Sequence, residues 1–187
     1  MFGAGPKNSY NVGVYNMKSR IVVAATPPIV SIIVAIFILF FPLLSYATDV
    51  ALRGKVIRII DGDTVELMAN NNQKHIIRLY GVDAPEDNQP FGNKATEFIS
   101  EMVLDERVWV FRKYRDRYGR WVGVLYMNST CVNQELVGAG LAWVYGQYCK
   151  DTICKDWKDT ERIAKDNELG LWSSSNSISP WEYRAKN

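Results

Sequence analysis

From Ile21 to Thr48 the 187-residue chain carries no charged side chain, and that gap decides how the rest can fold. Its centre, Ile29 to Phe41, is apolar apart from Ser31. With its flanks the segment is long enough to cross a bilayer, which takes about 20 apolar residues. Lys7, Lys18 and Arg20 precede it and no acid appears before Asp49, the basic-then-apolar order of a secretory signal or signal anchor. A buried core helix is disfavoured because Pro27, Pro28 and Pro42 would interrupt it in water. Ser45-Tyr46-Ala47 resembles a signal-peptidase site, yet the apolar run exceeds the roughly 7–15 residues of a signal h-region. We therefore read residues 1–20 as a polar, disordered segment and 21–47 as a transmembrane anchor, retained in preference to cleaved. The expected location is an inner membrane with the remainder facing the periplasm or outside. Cleavage would make the chain periplasmic or secreted.

The remainder, 48–187, is the length of one ordinary domain with a Ser-rich tail, 173–187, that reads as a loop with Trp181 and Tyr183 packing back. It carries 19 Lys and Arg against 20 Asp and Glu. Bulk charge therefore gives no argument for a polyanionic partner, and only local clustering can. Arg107, Arg112, Lys113, Arg115, Arg117 and Arg120 do cluster, although such a run taken alone fits a solvated hairpin face better, and only the carboxylates upstream reverse that preference. Cys149 and Cys154 enclose four residues and are expected to form a disulfide, as an exported domain allows. Metal binding by that pair is disfavoured because His75 is the sole histidine and does not complete a zinc site. Cys131 is left over as a small buried free thiol at a strand-to-helix corner.

Local patterning gives strands over 52–60, 64–68 and 75–80, with Asp61-Gly62-Asp63 as a tight turn in which Gly would supply a positive φ. Apolar spacing at Ala95, Phe98, Ile99, Met102 and Val103 predicts a helix over 94–104. A hairpin over 108–111 and 121–126 surrounds the basic turn. Asn133 is expected to cap a short helix over 134–137, followed by a strand at 142–145 and a last helix closing at Gly170. Trp143, Tyr145 and Trp157 read as core. The fold class is α+β, mainly β: a five-stranded, partly open barrel of the OB type with about three helices, preceded by the hydrophobic signal or anchor helix.

Three carboxylates and two arginines stand out in short polar clusters: Asp63 in Asp61-Gly62-Asp63-Thr64, Asp83 and Glu86 in Asp83-Ala84-Pro85-Glu86, Arg78 between them, and Arg120 closing Asp116-Arg117-Tyr118-Gly119-Arg120. A hard divalent cation such as Ca²⁺ takes oxygen ligands. A phosphodiester suits planar guanidinium donors, and an attacking water needs a nearby carboxylate. Taken singly, Asp61 and Asp63 could be turn residues and Arg78 a salt-bridge partner. Together they point to metal-dependent phosphodiester cleavage.

The segments Val56 to Thr64, Arg78 to Glu86 and Asp116 to Arg120, with Val132-Asn133, Leu136-Val137, Gly140-Leu141-Ala142 and Gly170-Leu171-Trp172, resemble the successive signatures of the staphylococcal nuclease (thermonuclease) family. The resemblance spans roughly 51–172, making 48–172 a thermonuclease-like domain. It implies that Asp63, Asp83 and the carbonyl of Ala84 ligate Ca²⁺, with Ala84 standing where well-known members carry threonine. It implies that Glu86 activates or orients water and that Arg78 and Arg120 clamp the phosphate. Tyr148 matches an aromatic that stacks near the nucleotide, its companion position being Gly146 here. Arg117 and Tyr118 are expected to contact substrate. The resulting expectation is a monomeric Ca²⁺-dependent nuclease on DNA and RNA giving 3′-phosphate ends. The alternatives are a catalytically silent OB module that binds nucleic acid or protein, and a membrane-tethered adaptor docking a partner through Trp181–Arg184.

Overall fold

The computed structural model describes residues 51–186. The expected anchor over 21–47 and the segment 1–20 lie outside them, and no helix among the described residues is long and apolar enough to cross a membrane. β1 (Leu52–Asp61), β2 (Thr64–Ala69) and β3 (Lys74–Leu79) form an antiparallel meander. Alternate residues Val56, Val65, Leu67, Ile77 and Leu79 turn inward to form one side of the core, as the two-residue period of a half-buried strand requires. After the short β4 (Val82–Asp83) come α1 (Gly92–Val103), β5 (Arg107–Arg115) and β6 (Trp121–Met127). β7 (Thr130–Cys131), α2 (Val132–Gly138), β8 (Trp143–Val144) and α3 (Ile153–Asp166) follow. A 3₁₀ turn at Gly170–Ser173 and α4 (Pro180–Lys186) complete the described chain.

The barrel strands run in the order β3-β2-β1-β5-β6, and β6 returns to pair in parallel with β3. The five-stranded barrel is thus closed, where the sequence suggested a partly open one. Register shifts supply the curvature: two in β1, flanking Arg58 to Ile59, and one in β5 between Arg112 and Tyr114. Such bulges raise twist and bend the strand, so the sheet meets its own edge. Ala95, Ile99 and Val103 of α1, Leu136 and Val137 of α2, and Trp157 of α3 seal the interior. Helix α1 starts two residues earlier than its apolar spacing indicates.

Two expectations fail for definable reasons. Asn133 lies within α2, one residue beyond its start, and caps nothing. Its buried amide instead accepts a hydrogen bond from the Leu125 N–H at 3.0 Å and donates to the Tyr80 carbonyl at 2.9 Å, joining β6 to the end of β3. Asn133→Ala should therefore destabilise the fold by about 1–3 kcal/mol for each of the two orphaned backbone groups. A urea midpoint shift at constant slope would show this, and an unmoved midpoint would contradict it.

The tail is the second. It holds a fourth helix where a loop was expected. Ser179 precedes Pro180, and its hydroxyl and N–H both donate to the Glu182 carboxylate, at 2.8 and 3.3 Å. This is the reciprocal half of a capping box, with proline at the first helical position where its missing N–H costs nothing. Those two bonds hold the Glu182 carboxyl below its ordinary range.

Candidate active site

The Asp61–Thr64 pair closes β1 to β2 around a two-residue turn. Asp61 Oδ1 accepts the Asp63 N–H at 2.9 Å, fixing the turn. Gly62 is not in the left-handed region expected of it; it is required for closeness. A Cβ there would stand 2.7 Å from the Ala95 and 2.9 Å from the Ala84 methyl carbon, so the turn lies directly on α1 and on the chain after β4. That contact aims Asp63 inward. Its carbonyl accepts the Leu79 N–H at 2.8 Å, and its Oδ2 accepts the Ala84 N–H at 2.7 Å. Ala84 itself is buried.

Between β3 and β4 the chain turns at Gly81, whose φ of 69° falls in the left-handed region. Here a Cβ would sit 2.4 Å from Cys149 Sγ. The disulfide Cys149–Cys154, with Cα atoms 5.7 Å apart, thus backs the turn that delivers Asp83. Cys131 is a free, half-buried thiol at the β7–α2 corner, and burial raises its pKa.

These turns bring four of the sequence-identified residues together. Arg78 on β3 pairs with Asp63 Oδ2 and, at 2.6 Å, with Asp83 Oδ1. Glu86 follows on the irregular segment after β4, its N–H donating to Gln89 Oε1 at 3.2 Å. Asp83 is 1% exposed and Asp63 5%, and both face the Arg78 guanidinium inside the protein. Burial works against the charge on Arg78, but Asp63 and Asp83 outweigh it and raise its pKa. Burial also pushes the Asp63 carboxyl up to about 8, and Arg78 and the Ala84 N–H oppose this without cancelling it.

That shift has a sign. With its pKa raised, the Asp63 carboxyl gives up its proton at higher pH in the folded protein than in the unfolded chain, where it titrates near the ordinary carboxylate value of about 4. In chelator, stability should therefore fall as pH rises from about 4 towards about 8. Melting temperatures at pH 5 and pH 8 check this. Asp63→Asn should flatten the trend, and an equal slope in that variant would assign it elsewhere.

The remaining candidates stand apart from this cluster. Arg120 closes the β5–β6 turn, with its Nε 2.7 Å from Asp116 Oδ2, and it pairs with none of Asp63, Asp83 or Glu86. For Asp116, burial works upward, but hydrogen bonds from Arg120 and the Tyr118 N–H win and depress its pKa. Tyr118 is 69% exposed, with the Arg117 and Arg120 guanidinium groups 4.9 and 5.4 Å from its ring centre. Tyr118 and Arg120 line a pocket of about 220 Å³ with His75 and Trp121. Tyr148 is half exposed beside the disulfide and meets the Tyr145 ring edge-on at 4.8 Å. Trp143 and Trp157 are buried, while Tyr145 stacks on Trp181 of α4.

Local pattern missed one group. Arg184 of α4 places Nη2 2.7 Å from Asp83 Oδ2 and Nη1 2.6 Å from Glu86 Oε1. The Ser179-to-Glu182 capping box was the available signal that the tail is helical, though not where the helix would dock. Among the described residues, no three or more of His, Cys, Asp and Glu gather as a metal-ligand cluster. The oxygen donors come as the two facing carboxylates, Asp63 and Asp83.

A closed five-stranded barrel of the OB type carrying paired carboxylates and guanidinium groups at the β1–β2 turn and the end of β3 defines a class: OB-type barrels with a buried acid–arginine cluster on one side. Comparison with known proteins narrows the class. The family model described as "Staphylococcal nuclease homologue" matches residues 76–174. A micrococcal nuclease of Shigella flexneri is 38% identical over 141 residues, covering 71% of this chain and 80% of the relative. An uncharacterized endonuclease of Haemophilus influenzae is 34% identical over 153 residues, covering 82% and 84%. One from Escherichia coli O157:H7 is 37% identical over 150 residues, covering 80% and 93%. The chain belongs to the staphylococcal nuclease family.

Proposed function

We propose that the chain is a Ca²⁺-dependent nuclease that hydrolyses DNA and RNA phosphodiesters and leaves 3′-phosphate ends. The observation that carries this reading is the convergence of Asp63, Arg78, Asp83 and Glu86, from separate turns and strands, in one site of a chain with nuclease relatives. Two carboxylate oxygens already face a single cationic group, Arg78, and no sulfur or imidazole is present among them. That donor set fits a hard cation, with Asp63, Asp83 and the Ala84 carbonyl holding it and water completing the shell. When bound, the ion lowers the charge on the phosphate and acts as a Lewis acid.

The chain's own residues do the rest. Glu86 accepts a proton from, or orients, the water that attacks phosphorus. The bond from water oxygen to phosphorus forms, the bond to the 5′ oxygen breaks, and that oxygen takes a proton from solvent water and leaves as a 5′-hydroxyl, the proton held by Glu86 returning to solvent. Arg78 and Arg120 donate to the phosphoryl oxygens as their charge grows. The turn carrying Arg117 and Tyr118 and the rim at Tyr148 bind the strand, through guanidinium contacts and base stacking. The Cys149–Cys154 disulfide supports work in an oxidising compartment, tethered through residues 21–47 or released by cleavage. The test is direct. Purified chain is incubated with end-labelled DNA or RNA, in Ca²⁺ and in chelator. Cutting in Ca²⁺ alone, with 3′-phosphate ends, is expected; binding without cutting would mark a silent module instead.

A further inference from the structure

We propose that Arg184 is a positioning residue of this active site, supplied by the C-terminal helix and acting through Glu86. The inference rests on the nuclease reading and adds to it a residue outside the family match, which ends at 174.

Glu86 sits on an irregular segment with its side chain 39% exposed, where a carboxylate samples several rotamers. Its backbone is fixed through Gln89, but its carboxylate has one partner among the described residues, Arg184 Nη1 at 2.6 Å on Oε1. Oε2 is left without a protein partner among those residues, which suits an oxygen that must accept from water. The same guanidinium reaches both oxygens of Asp83, at 2.7 and 3.4 Å. One planar fork therefore sets the distance between the carboxylate proposed to hold the ion and the one proposed to handle the water. Arg78 does not do this: it takes Asp63 and the other side of Asp83.

The helix that carries Arg184 is tied to the segments that carry its partners. Trp181 stacks on Tyr145 with ring centres 4.7 Å apart and planes within 8°, and it meets Trp143 edge-on at 6.4 Å. Trp143 is the strand partner of Asp83. The Tyr183 hydroxyl donates to the Asn88 carbonyl at 3.2 Å, and the buried Gln89 amide donates to the Ile178 carbonyl at 2.6 Å. Gln89 thus holds Glu86 on one side and the tail on the other. An arginine anchored in this way loses little further entropy when it orients a carboxylate.

The experiment is a double-mutant cycle on the full chain: wild type, Arg184→Ala, Glu86→Gln and the double variant, with kcat and KM on a DNA substrate in Ca²⁺. Arg184→Ala is expected to lower kcat by about 10–100-fold, the usual effect of removing a supporting partner, with KM unchanged. In the Glu86→Gln background the same change should cost clearly less, the remainder being its contact with Asp83. Arg184→Lys should recover part of the loss, and millimolar guanidinium should rescue Arg184→Ala but not Glu86→Gln. Additive losses, a loss confined to KM, or no loss at all would overturn the proposal. Faster cutting by Arg184→Ala would overturn it in favour of a tail that blocks the site. A wild-type chain that leaves DNA uncut in Ca²⁺ overturns the nuclease reading itself. The pairing is then read separately from melting temperatures of the same four proteins without substrate, where additive shifts overturn it.

Discussion

Arg78→Lys is expected to lower kcat by about 10²–10³-fold, the cost of removing one well-placed electrophilic donor, while the barrel stays folded. The guanidinium on β3 reaches Asp63 with one nitrogen and Asp83 with another, so its plane is set by two carboxylates. Lysine keeps the charge but offers a single ammonium at the end of a flexible stem and cannot span both acids while also contacting a phosphate. Arg78 is flanked by the inward-facing Ile77 and Leu79, and its backbone pairs with Thr64 on one side and Val122 on the other. The strand is therefore held independently of the side chain, and a small change in melting temperature should accompany a large change in rate. Steady-state kinetics and thermal melting of the same preparation check both halves. Near-native turnover would remove Arg78 from the reaction.

How much of this was legible in the sequence depended on range. Asp63, Arg78, Asp83 and Glu86 lie within 24 positions, and the turns that join them need only neighbouring residues to form. Their meeting could be read from motif spacing. Asn133 could not be placed in this way, because the groups it satisfies belong to Tyr80, 53 positions earlier, and to Leu125 on a different strand. From local pattern an asparagine before an apolar run reads as a cap, and tertiary demand overrode that preference. Barrel closure was hidden for a similar reason, since the bulges in β1 and β5 leave no periodicity signal. Arg184 is the extreme case, 98 positions from Glu86. Its helix was announced by Ser179-Pro180-Trp181-Glu182, but a capping box says that a helix starts and not which surface it covers.

Asp83→Asn should abolish Ca²⁺-dependent cleavage and Ca²⁺ binding together, the largest effect expected of any single change. Asparagine keeps the volume of the side chain, so β4 and its pairing with Trp143 should persist. What it removes is charge at a position 1% exposed, where two arginines converge. In the ion-free protein that leaves Arg78 facing Asp63 and Arg184 paired with Glu86, so folding should survive at reduced stability. Full truncation to alanine, by contrast, breaks two buried pairings and should cost about 3–5 kcal/mol, the range for removing one partner of a buried ion pair. With one of two carboxylates gone, a hard cation loses half the formal charge of its protein ligands. Calorimetric titration of Ca²⁺ reads the binding loss without reference to turnover, and labelled DNA reads the cleavage. If Asp83→Asn bound Ca²⁺ normally yet failed to cut, Asp83 would be orienting Arg78 and Arg184 rather than holding the ion. Cutting undiminished in that variant would refute the site as a whole.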